Sequence, residues 1–176
     1  MIVVNFKTYE GATGEKALEL ARIHQKVAAE SSVEIIICVQ PTDIFRISQE
    51  VKISVFAQHI DPQGYGSNTG FITPEAAKLA GASGTLLNHS EHLLLDESVL
   101  EESIKRAREE IGLKTIVCTA TVEKGAQIEQ DFHPDFIAVE PPELIGGDVS
   151  VSTANPEIIE KAVNLIGGDK VLVGAG

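Results

Sequence analysis

Seven short apolar runs begin near residues 2, 33, 53, 84, 114, 135 and 170. Each of the first six leads into a segment with helical periodicity before the next begins. The runs are nearly continuous in apolar residues, as in Ile35 to Val39 (IIICV) and Ile116 to Cys118 (IVC), rather than alternating with polar ones. Strands of that kind are buried on both faces, and a repeat of about 20 to 35 residues leaves room for one crossover helix each time. The chain therefore reads as an α/β protein with parallel strands covered by helices, one domain over residues 1–176. Two architectures satisfy the pattern, a closed (β/α)8 barrel and an open doubly wound sheet. The second often carries a glycine-rich turn after its first strand, and Asn5 to Gly14 (NFKTYEGATG) lacks the GxGxxG spacing, which favours the barrel.

The helices are written with ordinary signals. Ala17, Leu20, Ala21, His24, Val27 and Ala28 share a face in a helix expected over Glu15 to Glu30, with His24 as a packed or rim histidine. Pro41 opens a shorter helix expected to reach about Val51. Thr73-Pro74-Glu75 has the order of an N-cap, a first-turn proline and an acid, with the helix continuing to Leu79. Asp96 caps an amphipathic helix whose stripe is Leu100, Ile104, Ala107 and Ile111. Further helices are expected from about Val122 to Gln130 and from Asn155-Pro156-Glu157 to Gly167-Gly168.

The net charge of −12 argues against nucleic acid and anionic membrane as partners, since both reward clustered Lys and Arg. A small anion remains possible where backbone N–H groups and one lysine act locally. No apolar run reaches the roughly 18 residues of a membrane span, and Met1 leads directly into a strand pattern. The expected location is the cytoplasm. Cys38 and Cys118 each lie inside an apolar run and read as buried hydrophobes.

In a parallel barrel the working groups sit at the carboxyl ends of the strands. Strand one ends on Asn5 and Lys7, strand three on Gln58 and His59, strand four on Asn88, His89 and Ser90 with Glu91 next, and strand six on Glu140. Asn5 and Lys7, two apart, would point the same way on a strand. After Glu140, Pro141-Pro142 stiffen the chain and Gly146-Gly147 loosen it, the composition of a lid above a carboxylate. A cation, an imidazole and a roofed carboxylate are the parts for moving a proton next to a carbonyl, with His89 and Lys7 stabilising an enolate oxygen.

Asn5-Phe6-Lys7, Asn88-His89-Ser90-Glu91, Glu140-Pro141-Pro142-Glu143-Leu144-Ile145-Gly146 and Gly174-Ala175-Gly176 together resemble the triosephosphate isomerase family in its short archaeal form. The resemblance implies a TIM barrel and interconversion of glyceraldehyde 3-phosphate and dihydroxyacetone phosphate through an enediolate, in glycolysis and gluconeogenesis, without metal or cofactor. It assigns Glu140 as the base, His89 as the neutral electrophile, Lys7 as the charge partner of substrate and transition state, and Asn5 as the group that helps place both. Glu91 would order the surroundings of Lys7 and His89, and backbone at Ile145, Gly146 and Gly176 would bind phosphate. The loop from Asp61 to Phe71 resembles the family's dimerisation loop, with Thr69 reaching a neighbouring subunit, which implies a homodimer or homotetramer.

The lid reads IGGDVSVS where a threonine-glycine pair is commoner, and His92 stands where Arg or Lys is more usual. The chain stops at Gly176 after a seventh strand, so the expectation is a barrel truncated to seven parallel strands, with open edges on strands one and seven and part of the phosphate clamp lacking. On that expectation the chain by itself turns over slowly or needs a complementary segment. The competing readings are an inactive barrel fragment and another phosphate-binding barrel enzyme, the latter of which leaves NFK, NHSE and EPPELIG together unexplained.

Overall fold

The structure, a computed structural model, describes residues 1–141 and 156–174. It contains β1 (Ile2–Asn5), α1 (Glu15–Ser31), β2 (Ile35–Val39), α2 (Pro41–Ser48), β3 (Ser54–Ala57), α3 (Pro74–Leu79), β4 (Gly84–Leu87), α4 (Glu97–Lys105), β5 (Lys114–Thr119), α5 (Val122–Phe132), β6 (Phe136–Val139), α6 (Pro156–Ile166) and β7 (Val171–Val173). A short 3-10 turn, Glu10–Ala12, precedes α1, and a π-helical segment, Arg106–Ile111, follows α4. Two compact units emerge, one of Met1–Leu86 with Arg106–Lys114, the other of Leu87–Lys105 with Thr115–Gly176.

In the first unit β1 pairs with β2, β2 with β3 and β3 with β4, all parallel, with Val3 opposite Ile36, Ile37 opposite Val55 and Phe56 opposite Gly84. A doubly wound sheet reverses strand order at a switch point, which would separate β3 from β4 or β2 from β3. Neighbours in chain order are instead the winding of a barrel. All five residues of β2 are buried, which accounts for its unbroken apolar sequence. Gly84 is where the β3 side chain Phe56 crosses β4: a methyl there would lie 2.6 Å from the Lys114 carbonyl oxygen and closer still to the Phe56 ring.

In the second unit β5 pairs with β6 and β6 with β7, again parallel, with Ile116 opposite Phe136 and Ile137 opposite Val171. Gly125 lets α5 approach the Ile137 side chain on β6. Thr121 caps α5 by accepting the Lys124 N–H at 3.2 Å. Asp96 accepts from the Ser98 N–H and hydroxyl at 2.9 and 2.7 Å ahead of α4. Those two bonds, the hydroxyl first, hold its carboxyl below the ordinary aspartate range.

Several boundaries differ from the sequence reading. In α1 the buried residues are Ala17, Leu18 and Ala21, while Val27 is 46% exposed. The helix is turned so that Val27 falls at the margin of the covered face, on the side away from Leu18. His24 is half-buried as expected, its Nδ1 2.8 Å from the Leu20 carbonyl and its ring tilted against Phe6. Helix α2 ends at Ser48 rather than near Val51, and the amphipathic stripe after Asp96 passes from α-helical to π-helical geometry at Arg106. Thr73 caps α3 as expected, accepting from the Ala76 N–H at 3.2 Å. Asn155 lies outside the described residues.

Two outcomes follow from this packing. Gly84→Ala should lower the urea-unfolding free energy by about 1–3 kcal/mol through overpacking, whereas Gly11→Ala, with open space around its Cα, should stay within about 0.5 kcal/mol. Because the Asp96 carboxyl is depressed in the folded state, its stabilisation is complete above the unfolded value and fades as pH falls through the folded one. The stability gap between the native chain and Asp96→Ala should therefore shrink between neutral pH and pH about 3 in denaturation titrations.

Candidate active site

In the first unit the candidate residues form a corner where β1 stops. Lys7 has φ 49°, the left-handed region, which costs a non-glycine residue about 1–2 kcal/mol. A residue so placed cannot continue a pleat, so β1 ends at Asn5 and the direction of Lys7 is set by a turn, not by strand alternation as the sequence reading had it. The turn is fixed on both sides. The Lys7 N–H donates to Asn5 Oδ1 at 2.9 Å, and Gln58 Nε2, just past β3, donates to the Lys7 carbonyl at 2.9 Å and to Asn5 Oδ1 at 3.2 Å. His59 is buried, with Nε2 3.2 Å from Asp61 Oδ1. Asp61 in turn closes the loop that follows: its N–H donates to the Ile72 carbonyl at 2.8 Å and its Oδ2 accepts the Ile72 N–H at 2.7 Å. Thr69 is exposed on that loop, and beneath it Arg106 packs against Gly64 while pairing with Glu75 and with Glu110 at 3.4 Å.

In the second unit the chain leaves β4 through Asn88, also left-handed at φ 57°. Its Nδ2 donates to the Cys118 carbonyl at 3.1 Å and its Oδ1 accepts the Leu94 N–H at 2.9 Å, which ties residues 88–94 to the end of β5. His89 follows and is 8% exposed. Its Nδ1 accepts the backbone N–H of Glu91 at 3.2 Å. The Glu91 carboxylate lies 3.6 Å from the same nitrogen, but an Nδ1 that carried a proton could not accept a backbone donor, so the geometry is that of a neutral ring with its N–H on Nε2. That Nε2 stands 3.8 Å from Glu140 Oε2.

Glu140 follows β6 and is anchored through its own backbone, its N–H donating to the Thr119 carbonyl at 2.9 Å. Oε2 is buried and accepts no hydrogen bond among the described residues. Leaving a buried polar atom unsatisfied costs about 1–3 kcal/mol, so this oxygen is open to a hydrogen-bond donor. The cleft beside it is lined by Asn88, Ser90, Leu93, Cys118, Thr119 and Glu140. Cys38 and Cys118 are both buried, as expected, and burial pushes the Cys38 thiol well above its ordinary range.

A search with family models matches the one described as triosephosphate isomerase over residues 1–173. Named triosephosphate isomerases align with the whole chain or nearly so. That of Methanobacterium bryantii is 46% identical over 180 residues, covering 100% of this chain and 78% of the relative. That of Saccharolobus solfataricus is 44% identical, covering 100% and 78%, and that of Methanocaldococcus jannaschii 45%, covering 100% and 81%. The chain belongs to the triosephosphate isomerase family. It is thus an isomerase by family, and these relatives, all archaeal, fit the short form expected from the motifs. The crystal structure of the Bartonella henselae triosephosphate isomerase superposes with a TM-score of 0.71, at 23% identity, over 98% of this chain and 81% of that one. The fold is the TIM barrel, represented among the described residues by seven parallel strands.

Among the residues expected for a triosephosphate isomerase site, His89, Glu91 and Glu140 lie together in the second unit, and Asn5 and Lys7 together in the first. Ile145, Gly146, Gly176 and the IGGD lid lie outside the described residues. His92 is exposed and donates its N–H to the His89 carbonyl at 2.7 Å. Among the described residues no group of three or more His, Cys, Asp or Glu could hold a metal ion. No described helix is long and apolar enough to cross a membrane.

Gln58 and Asn88 stood at strand ends in the sequence without an assigned role. The available signal was their type: a side-chain amide just past a strand can donate to the carbonyls the sheet leaves open. Replacing Asn88 separates its two contributions. Both Asn88→Gly and Asn88→Ala lose the bonds to Cys118 and Leu94, but glycine accepts the left-handed conformation freely. The glycine variant should be more stable than the alanine variant by about 1 kcal/mol in urea titrations, with isomerase activity reduced in both.

Proposed function

We propose that this chain interconverts glyceraldehyde 3-phosphate and dihydroxyacetone phosphate, with Glu140 as the proton-transfer base. The carboxylate takes a proton from the carbon beside the carbonyl, becomes a carboxylic acid, and returns the proton to the adjacent carbon. The Nε2–H of His89 donates to the former carbonyl oxygen as it gains charge in the enediolate and gives it a proton, and the ring recovers one from the neighbouring hydroxyl, so that the carbonyl shifts to that oxygen as Glu140 returns its proton to carbon. Because the imidazole is neutral, it polarises the oxygen without pairing permanently with Glu140. Lys7 supplies the positive charge that a phosphorylated substrate lacks on a chain of net charge −12, and Asn5 sets the position of Lys7. Glu91 fixes the His89 tautomer through its backbone N–H. Ile145, Gly146 and Gly176 lend backbone to the phosphate.

The observation that supports this reading most directly is the pairing of an unsatisfied Glu140 oxygen with the proton-bearing nitrogen of His89 at 3.8 Å. A triose lying alongside the pair would have both the carboxylate oxygen and the Nε2–H within reach of adjacent atoms. The remaining parts of the proposal are a single domain over residues 1–176, a homodimer or homotetramer with Thr69 at the subunit contact, and a cytoplasmic location.

A coupled assay on glyceraldehyde 3-phosphate tests the assignment. Glu140→Gln, which keeps shape and removes the base, should lower kcat by about 10²- to 10⁴-fold with the melting temperature little changed. His89→Gln should lower kcat by roughly 10²-fold or more, the loss expected for one oxyanion donor. Full activity in Glu140→Gln would sink the proposed mechanism.

A further inference from the structure

Gln58 is half-buried at the end of β3, and the family reading gives it no task. Its side-chain nitrogen faces three oxygens: the Lys7 carbonyl at 2.9 Å, Asn5 Oδ1 at 3.2 Å and the Cys38 carbonyl at 3.4 Å. Two N–H groups shared among three acceptors fix the orientation of the amide, because its own oxygen in that place would meet only lone pairs. The same cluster surrounds a residue held in a conformation it would not choose, Lys7 at φ 49°. Strained backbone persists where the surroundings over-determine it, and here both flanks are determined. The Lys7 N–H is held by Asn5, its carbonyl by Gln58, and Gln58 also holds the Asn5 oxygen that receives the Lys7 N–H.

We propose that Gln58 is a positioning residue for Lys7: by donating to the Lys7 carbonyl and to Asn5 Oδ1, it locks the left-handed turn that aims the lysine ammonium. Without Gln58, the carbonyl side of the turn loses the amide donor that fixes its peptide plane. With that peptide free, the lysine relaxes toward the ordinary negative-φ basin and its side chain leaves from a different direction. A misplacement of about 1 Å in such a group is worth on the order of 10²-fold in rate. The catalytic consequence rests on the role proposed above for Lys7, whereas the conformational one does not.

The test uses Gln58→Met, which keeps length and volume and removes both donors, together with Lys7→Met and the double variant. The first readout is conformational: the backbone carbon and nitrogen NMR shifts of Lys7. Gln58→Met should move them away from left-handed values, and unchanged shifts would overturn the proposal whatever the kinetics show. The second readout is kcat and KM for glyceraldehyde 3-phosphate, measured well below each variant's melting temperature. Gln58→Met should lower kcat/KM by roughly tenfold to a hundredfold in the native background and by less than about threefold where Lys7 is already methionine. A loss of equal size in both backgrounds would show that Gln58 acts elsewhere and would also overturn the proposal. Native activity in Lys7→Met would count against the assigned role of Lys7, and the NMR shifts would still decide what Gln58 does.

Discussion

A parallel strand that stops leaves carbonyl oxygens pointing past its end, and the candidate active site is built on the way those oxygens are satisfied. Buried backbone acceptors need partners. Three such corners show a donor that also directs the chain. Gln58 serves Lys7 and adds a second, longer bond to the Cys38 carbonyl that the Phe6 N–H already reaches, Asn88 serves Cys118, and the Glu140 N–H serves Thr119. The same bonds that terminate strands therefore set the directions of Lys7, His89 and Glu140. Were the carbonyls left to water, each of these residues would sit on a freely pivoting loop, and loops of that kind do not hold catalytic geometry.

The two left-handed residues show how sharply this is done. Lys7 and Asn88 each turn the backbone immediately after a strand, within one or two residues of a group with chemistry to perform. Asparagine tolerates the left-handed region because its short side chain bonds locally, and Asn88 uses both ends of its amide in doing so. Lysine has no such device, so its turn is held by the amides of Asn5 and Gln58. The contrast explains why the first corner needs more partners than the second.

Much of this was legible in the sequence, because the βα repeat is carried by local patterns. The unbroken apolar runs of β2 and β5, the cap at Thr73, and the proline starts of α2 and α3 all act within a few residues of themselves. Glu140 and His89 were legible as strand-end residues for the same reason. What the sequence did not yield depends on partners far along the chain. The conformation of Lys7 is settled by Gln58, 51 residues on, and the buried face of α1 by what packs on it rather than by its own period. The passage to π-helical geometry at Arg106 likewise has no local marker, coming where Arg106 reaches Glu75 and packs beneath Gly64.

The choice of neutral amides at these corners also fits the electrostatics of an acidic chain. A lysine or arginine in place of Gln58 could donate to the same carbonyls, but it would add a fixed charge beside Lys7 and spread the positive potential over two sites. An acid would meet the clustered oxygens with its own lone pairs and repel them. The amide supplies directed donors with no net charge, so geometry and charge are controlled separately. The proposed reaction needs that separation, because Glu140 acts as a base through its carboxylate while a neutral His89 donates without holding that carboxylate in a permanent ion pair.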